Sequence, residues 1–225
     1  MKALDLETFF RERSVSVWGC ADLALLRARR TEIASLPGSF RTAVVYGLPL
    51  AGGVLDRLEG GPDPLYLHHY RQANYLLDRV GFQLALALEA AGFVSLPVPA
   101  SQVIDWERPR GFVSHRHLAA AAGLGWFGRN NLLVTPGWGS RLRLASVLTA
   151  AVFPGRPAPR AEAGCGDCRE CAGRCPAGAI GATAADFDAE ACYRYIKQVC
   201  RERNIGQHIC GLCLCPFGDG SNPAA

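Results

Sequence analysis

Nine of the ten cysteines in this 225-residue chain fall between Cys165 and Cys215, and the long stretch before them holds only Cys20. A disulfide framework spreads its cysteines through a small secreted domain. Sulfur gathered at one end of an otherwise cysteine-poor chain points instead to metal. Residues 1–10 (MKALDLETFF) carry two acids and no long apolar run, unlike a secretory signal. The low-charge stretches at 84–91 and 144–153 are too short to cross a bilayer. The expectation is a cytoplasmic protein with no membrane partner, in a reducing compartment that keeps thiolates available. Composition closes off other classes: an apolar fraction of 49% with 20% charged residues excludes disorder as the dominant state. A net charge of +4 is too mild to mark a nucleic-acid binder by itself.

The spacing within the cysteine group is specific. Cys165-x2-Cys168-x2-Cys171-x3-Cys175-Pro176 matches the run by which bacterial ferredoxins ligate iron–sulfur clusters. Two-residue gaps let three thiolates converge from one tight loop onto three corners of a cubane, and the fourth cysteine reaches a different cluster. A second set is present as Cys192, Cys210-x2-Cys213 and Cys215-Pro216. The crossed pattern assigns Cys165, Cys168, Cys171 and Cys215 to one [4Fe–4S] cluster, and Cys175, Cys192, Cys210 and Cys213 to the other. Pairs of C-x2-C also suit tetrahedral zinc, but the three-cysteine run ending in Cys-Pro has no use in a four-cysteine zinc site. The second group departs from an ordinary ferredoxin run, with one residue rather than three between Cys213 and Cys215, which leaves Cys200 as a substitute for Cys192 or Cys213. Cys20 reads as a buried core thiol.

The rest of the chain reads as an α/β domain. Residues 6–36 look helical up to the Pro37-Gly38 breaker, and 43–48 (AVVYGL) have the apolar, β-branched character of a buried strand. Residues 52–64 read as a loop. Residues 70–91 form the strongest helix, with Tyr75, Leu76, Val80, Leu84 and Leu88 near four-residue spacing and Gly92 as its stop. Further strands are expected at 93–99, 132–134 and 142–149, and a short helix at 117–122. The prolines of 154–164 read as a linker, placing an α/β domain at 1–155 and a two-cluster ferredoxin-like domain at 156–225. Alternating helix and strand argues for an α/β (α+β) core in the first domain. Arg27–Arg30 reads as a solvated helix face, with a tRNA patch as the sharper alternative.

The most distinctive stretch before the linker is Gly123-Leu124-Gly125-Trp126-Phe127-Gly128-Arg129-Asn130. Its glycines permit close backbone approach to a ligand, and Arg129 and Asn130 offer polar contacts. The spacing is formally that of a dinucleotide fingerprint. That motif, however, needs a strand before it and a helix after it, whereas here an alanine-rich helix comes first. Trp126, Phe127 and Trp138 read either as core or as packing for a flat macrocycle.

This segment, the stretch from Gly139 to Thr149 (GSRLRLASVLT) and the Cys165 run together resemble the epoxyqueuosine reductase family. The resemblance implies two [4Fe–4S] clusters coupled to a cobalamin held by an α/β domain similar to that of reductive dehalogenases. On that reading Gly123, Gly125, Trp126, Gly128, Arg129 and Asn130 line the corrinoid. Where the family carries a proton-donating aspartate, this chain has Pro109 between Arg108 and Arg110, with Glu107 and Asp105 the nearest acids. Full-length members add C-terminal helical repeats that help grip tRNA, and this sequence stops soon after Cys215. Both departures argue against tRNA as a partner.

The expected function is therefore an iron–sulfur oxidoreductase. An external donor such as a ferredoxin or flavodoxin would feed electrons through the clusters to a corrinoid that reduces a small molecule, or to the corrinoid itself. The rival readings are a non-enzymatic two-cluster carrier that docks a partner, and a tRNA epoxyqueuosine reductase with an unaligned acid. Asp105 and His115 are the candidate catalytic residues. Tyr46 and Tyr70 are further possible proton donors, and none of the four has the spacing of a dedicated acid–base pair. His117, His68 and His69 read as helix-start or surface residues, with pocket lining as the alternative.

Overall fold

The computed structural model describes residues 4–28, 31–105, 110–154 and 164–216, with the side chains of Thr31 and Glu32 excluded. Its helices are α1 (Leu6–Arg11), α2 (Leu23–Arg27), α3 (Thr31–Ala34), α4 (Gly52–Leu55), α5 (Pro64–Ala90), α6 (His115–Ala121), α7 (Glu170–Gly173) and α8 (Ala189–Glu202). Its strands are β1 (Val17–Asp22), β2 (Thr42–Pro49), β3 (Ser95–Val98), β4 (Trp126–Phe127), β5 (Leu133–Val134) and β6 (Leu142–Thr149). The result is the mixed α/β class that the sequence predicts. Two compact units emerge, each assembled from three segments. The first takes Met1–Leu48, Ala73–Leu124 and Arg143–Pro159; the second takes Pro49–Gln72, Gly125–Leu142 and Arg160–Ala225. The boundary expected near residue 155 lies at the edge of 155–163, outside the described residues.

The first unit is built on a four-stranded sheet in the order β1-β2-β6-β3. β1 pairs antiparallel with β2, and β3 antiparallel with β6. Arg41 N–H donates to Thr149 O at one end of the β2–β6 pair and Leu50 N–H to Arg141 O at the other. Those two pairings run in opposite directions along the chain, so the whole sheet is antiparallel. β2 is buried along nearly its full length, as expected of a central strand covered on both faces.

Helix α5 buries Ala73, Leu77, Val80, Leu84, Ala85 and Leu88 at steps of three and four residues. Tyr46, buried in β2, donates its hydroxyl to Leu77 O at 3.1 Å. The expected stripe is correct at Val80, Leu84 and Leu88 but not at its start. Tyr75 is 62% and Leu76 39% exposed, and Leu77 takes the inward position. The helix also begins six residues earlier than periodicity indicates, with Pro64 as its first residue, a position where the missing N–H costs nothing.

Residues 6–36 are not one helix. β1 interrupts them, because Val15, Val17 and Trp18 favour an extended edge that pairs with β2, and Asp5 and Asp22 each cap a short helix beside it. Arg27 is not a solvated side chain: its guanidinium donates to the carbonyls of Ile33, Leu36, Pro37 and Phe40. One cation thus closes the loop that follows α3. Arg29 and Arg30 lie outside the described residues. Cys20 is buried in β1. Among the described residues no helix is long and apolar enough to cross a membrane.

Candidate metal centre

The eight candidate cluster ligands, the six candidate corrinoid residues, Asp105 and His115 lie in the described portion, and they divide between the two units. The second unit contains one pocket lined by Cys165, Cys168, Cys171 and Cys215 together with Arg129, Asn130 and Ser140. Local chain geometry brings the first three thiols there. Cys168 N–H donates to Cys165 O to close a turn, and the single-turn helix α7 carries Cys171 inward. Cys215 arrives from the far end of the segment. Ser140 holds it from both sides: Ser140 N–H donates to Cys215 O at 3.0 Å, and Cys215 N–H donates to Ser140 Oγ at 3.0 Å.

The glycine-rich segment folds onto these cysteine loops. Trp126 and Phe127 form β4, which pairs with β5 as a small hairpin. The backbone approach at Gly125 is so close that a Cβ there would stand 2.0 Å from Val134 O, and one at Gly128 would stand 2.6 Å from Val134 Cγ2. Both glycines are therefore required by the hairpin's own packing. Gly123 ends α6, where Leu124 N–H donates back to Ala119 O. Arg129 donates through Nε to Cys168 O at 3.0 Å and through Nη2 to Gly166 O at 2.6 Å. Asn130 is buried; its Nδ2 donates to Cys213 O at 2.8 Å and to Ser140 Oγ at 3.2 Å. Asn130 thus spends both amide hydrogens on Cys213 and Ser140, and Arg129 turns Nε and Nη2 toward the first cysteine loop. Trp126, Phe127 and Trp138 are half-buried.

Electrostatics shows which thiols lie close to one another. Burial pushes the Cys171 thiol up, Cys165 and Cys168 push it further, and main-chain hydrogen bonds from Asn130 and Ala172 pull it back. Burial raises Cys215 to about 11, although the Arg174 guanidinium hydrogen-bonds to it and opposes the shift. Cys175, Cys192, Cys210 and Cys213 act mainly on one another. Burial raises Cys210 to about 11, with Cys192, Cys175 and Cys200 adding to the rise against a main-chain hydrogen bond from Leu212. Cys213 is raised first by burial and then by Cys210, Cys192, Cys175 and Cys215. Cys192 is raised by burial and by Cys175. Helix α8 carries Cys192, with Asp188 capping its first turn. Such thiols ionise on binding a metal and are otherwise held protonated.

Cys200 is differently placed. It is buried on α8, and its thiol donates to Ile209 O at 3.1 Å. Among the described residues, no three His, Cys, Asp or Glu side chains converge as they would around one ion.

The candidate proton donors lie in the first unit, except Tyr70, which lies in the second. His115 is half-buried, with Nδ1 at 2.9 Å from Ser146 Oγ and Nε2 at 2.9 Å from Pro99 O. Burial holds its pKa down at about 4, so the ring is neutral near pH 7. Asp105 forms an ion pair with Arg110 at 3.2 Å; Glu107 and Pro109 lie outside the described residues. Burial pushes the Tyr46 hydroxyl far up, so it keeps its proton. Tyr70 is buried with its ring 6.1 Å from that of Tyr66. His117 Nδ1 lies 2.7 Å from Ser114 Oγ. In the second unit Ala51 N–H donates to His69 Nε2 at 2.9 Å, and His68 is exposed. Sequence reasoning did not single out Ser140 or Arg174. Ser140 stood inside a recognised stretch, and Arg174 directly precedes a ligand-type cysteine, which was the available signal.

No family model matches the sequence. Over 145 residues the chain is 34% identical to an epoxyqueuosine reductase of Bacillus anthracis, a match covering 59% of this chain and 36% of that protein. The chain thus spans about a third of the length of the curated relatives it matches. An epoxyqueuosine reductase structure from Streptococcus thermophilus superposes with a TM-score of 0.59 at 18% identity, covering 97% of this chain and 66% of that one. A reductive dehalogenase whose structure suggests a mechanism for B12-dependent dehalogenation gives a TM-score of 0.73 at 17% identity, covering 97% and 32%. The chain is similar to epoxyqueuosine reductases in sequence, and it shares its fold with them and with reductive dehalogenases.

Proposed function

We propose that this chain is an iron–sulfur oxidoreductase of the epoxyqueuosine reductase type. It would hold one [4Fe–4S] cluster on Cys165, Cys168, Cys171 and Cys215 and a second on Cys175, Cys192, Cys210 and Cys213. The observation that carries the reading is the pocket in which the first four thiols meet. Its chemistry fits: four soft donors, a short turn between the first two, and neighbouring guanidinium and amide donors to offset the charge of bound thiolates. When loaded, the two clusters supply one-electron transfer. The chain's own work is to release thiol protons on loading, pin the loops through Arg129, Asn130 and Ser140, and hold Cys215 against Arg174.

A corrinoid is the second cofactor of this reading, supported by the fold shared with the B12-dependent dehalogenase. Asn130 contributes no free amide donor to it, since both its amide hydrogens are engaged by Cys213 O and Ser140 Oγ. Electrons would come from a reduced carrier protein such as a ferredoxin or flavodoxin, in a cytoplasmic setting, and the substrate would be a small molecule. Epoxyqueuosine in tRNA is the second reading, favoured by the 34% identity to the Bacillus anthracis reductase.

Anaerobic reconstitution followed by iron and sulfide analysis tests the first part: two cubanes give about eight iron per chain, and four or fewer overturns the assignment. Hydroxocobalamin added under reducing conditions tests the second. A corrinoid spectrum that co-elutes with the chain supports it, and none leaves a two-cluster electron carrier.

A further inference from the structure

The segment Cys213-Leu214-Cys215 is the one place where a ligand of each proposed cluster lies within two residues of the other. The separation of the two cluster sites therefore depends on how firmly this short piece of chain is held. Besides the Leu214 N–H to Gly211 O bond in its own loop and the Arg174 contact to Cys215, it is held by two residues from elsewhere in the sequence. Asn130 Nδ2 donates to Cys213 O at 2.8 Å across 83 residues of sequence. Ser140 forms the two-sided pairing with the Cys215 backbone, at 3.0 Å in each direction. Asn130 also donates to Ser140 Oγ at 3.2 Å, so the two residues form one network. The network reaches the first cysteine run as well, because the Asn130 main chain hydrogen-bonds to Cys171.

Each member is buried, and each hydrogen bond is specific in direction. Asn130 Oδ1 accepts from Leu132 N–H at 3.2 Å, which fixes the amide so that Nδ2 faces Cys213. Ser140 Oγ accepts from Cys215 N–H, leaving its proton to point at Cys215 O. In a buried site a fully satisfied network of this kind specifies one arrangement, because any shift strands a donor or an acceptor.

We propose that Asn130 and Ser140 are positioning residues that clamp the Cys213–Cys215 segment and so set the spacing and mutual orientation of the two cluster sites. The clamp rests on the two-cluster reading and goes beyond it: ligation alone would need only the cysteines, whereas electron passage between clusters depends on a fixed separation. Asn130→Asp keeps the acceptor for Leu132 but turns the group facing Cys213 O from a donor into an acceptor. Ser140→Ala removes the hydroxyl, and Ser140→Thr keeps it.

The test is electron paramagnetic resonance of the full chain, reconstituted anaerobically and reduced with dithionite, with iron measured on the same samples. Wild type should hold about eight iron and show the broadened signal of two magnetically interacting clusters. Asn130→Asp and Ser140→Ala should lose that interaction pattern, and Ser140→Thr should retain it. Variants with full iron and an unchanged interaction signal overturn the clamp while leaving the two-cluster reading intact. If Asn130→Asp and Ser140→Ala fail to load, Ser140→Thr decides: wild-type iron and signal support the clamp, and failure to restore them overturns it. Four or fewer iron in the wild type overturns the two-cluster reading itself, and the clamp with it.

Discussion

Arg129 donates to the main-chain oxygen of Cys168 at 3.0 Å, so a side chain of the glycine-rich segment closes the loop of the first cysteine run. With its second bond to Gly166 O, the planar guanidinium spans two carbonyls that a lysine ammonium would not hold together. Arg129→Ala should cost about 1.5–3 kcal/mol at this loop and speed the bleaching of the first cluster by chelator, with Arg129→Lys intermediate. Bleaching followed by absorbance checks this, and equal rates for all three proteins would remove Arg129 from the site.

The two thiol groups make separable predictions. Cys171→Ser and Cys213→Ser should each lower reconstituted iron from about eight to about four per chain. Cys200→Ser should leave iron unchanged, since its thiol is turned to Ile209 O. A Cys200 variant that loses iron would place this residue among the ligands.

Gly125→Ala puts a methyl group where only 2.0 Å separates it from Val134 O. The obstacle is backbone rather than a flexible side chain, so the hairpin must open. The cost should be roughly 2 kcal/mol or more, seen as a lowered Tm. A variant with wild-type Tm would show that the hairpin tolerates the bulk.

His115 links stability to pH. Its folded pKa of about 4 lies below the ordinary value of 6.5, so between those values the unfolded chain binds a proton that the folded chain refuses. Stability contributed by the neutral ring is complete above about pH 6.5 and is lost as pH falls toward 4. The full span is on the order of 3 kcal/mol. Denaturant unfolding at pH 7 and pH 5 should show the fall, and His115→Gln should flatten it. An unchanged slope in the variant would assign the fall to other groups.

What could be read from the sequence followed from local chemistry. β2 and β6 announced themselves through short apolar, β-branched runs, and α5 through its Val80, Leu84 and Leu88 spacing. Cysteine spacing suggested two groups of thiols, because ligation to a cubane constrains gaps of two or three residues directly. What stayed hidden depended on distant partners. β1 is a strand because β2 lies beside it, so its flanking capped turns read as helix. Arg27 looked solvated because its four carbonyl partners are set by a fold, not by a motif. The roles of Asn130 and Ser140 arise from partners 83 and 75 residues away. Glycine spacing suggested a ligand cradle at Gly125 and Gly128, where close approach by the chain's own strand accounts for both.

The second unit is not a contiguous module. Arg203 donates to Glu59 O across 144 residues, Tyr195 to Gly60 O across 135, and Ser140 meets Cys215 across 75. During synthesis the early pieces of this unit must wait, unpaired, until residues 195–215 have been made. Folding of this unit is therefore set by the arrival of the segment that carries Tyr195, Arg203 and Cys215. A chain that ended before Tyr195 would leave the carbonyls of Glu59 and Gly60 and the Ser140 hydroxyl without these partners.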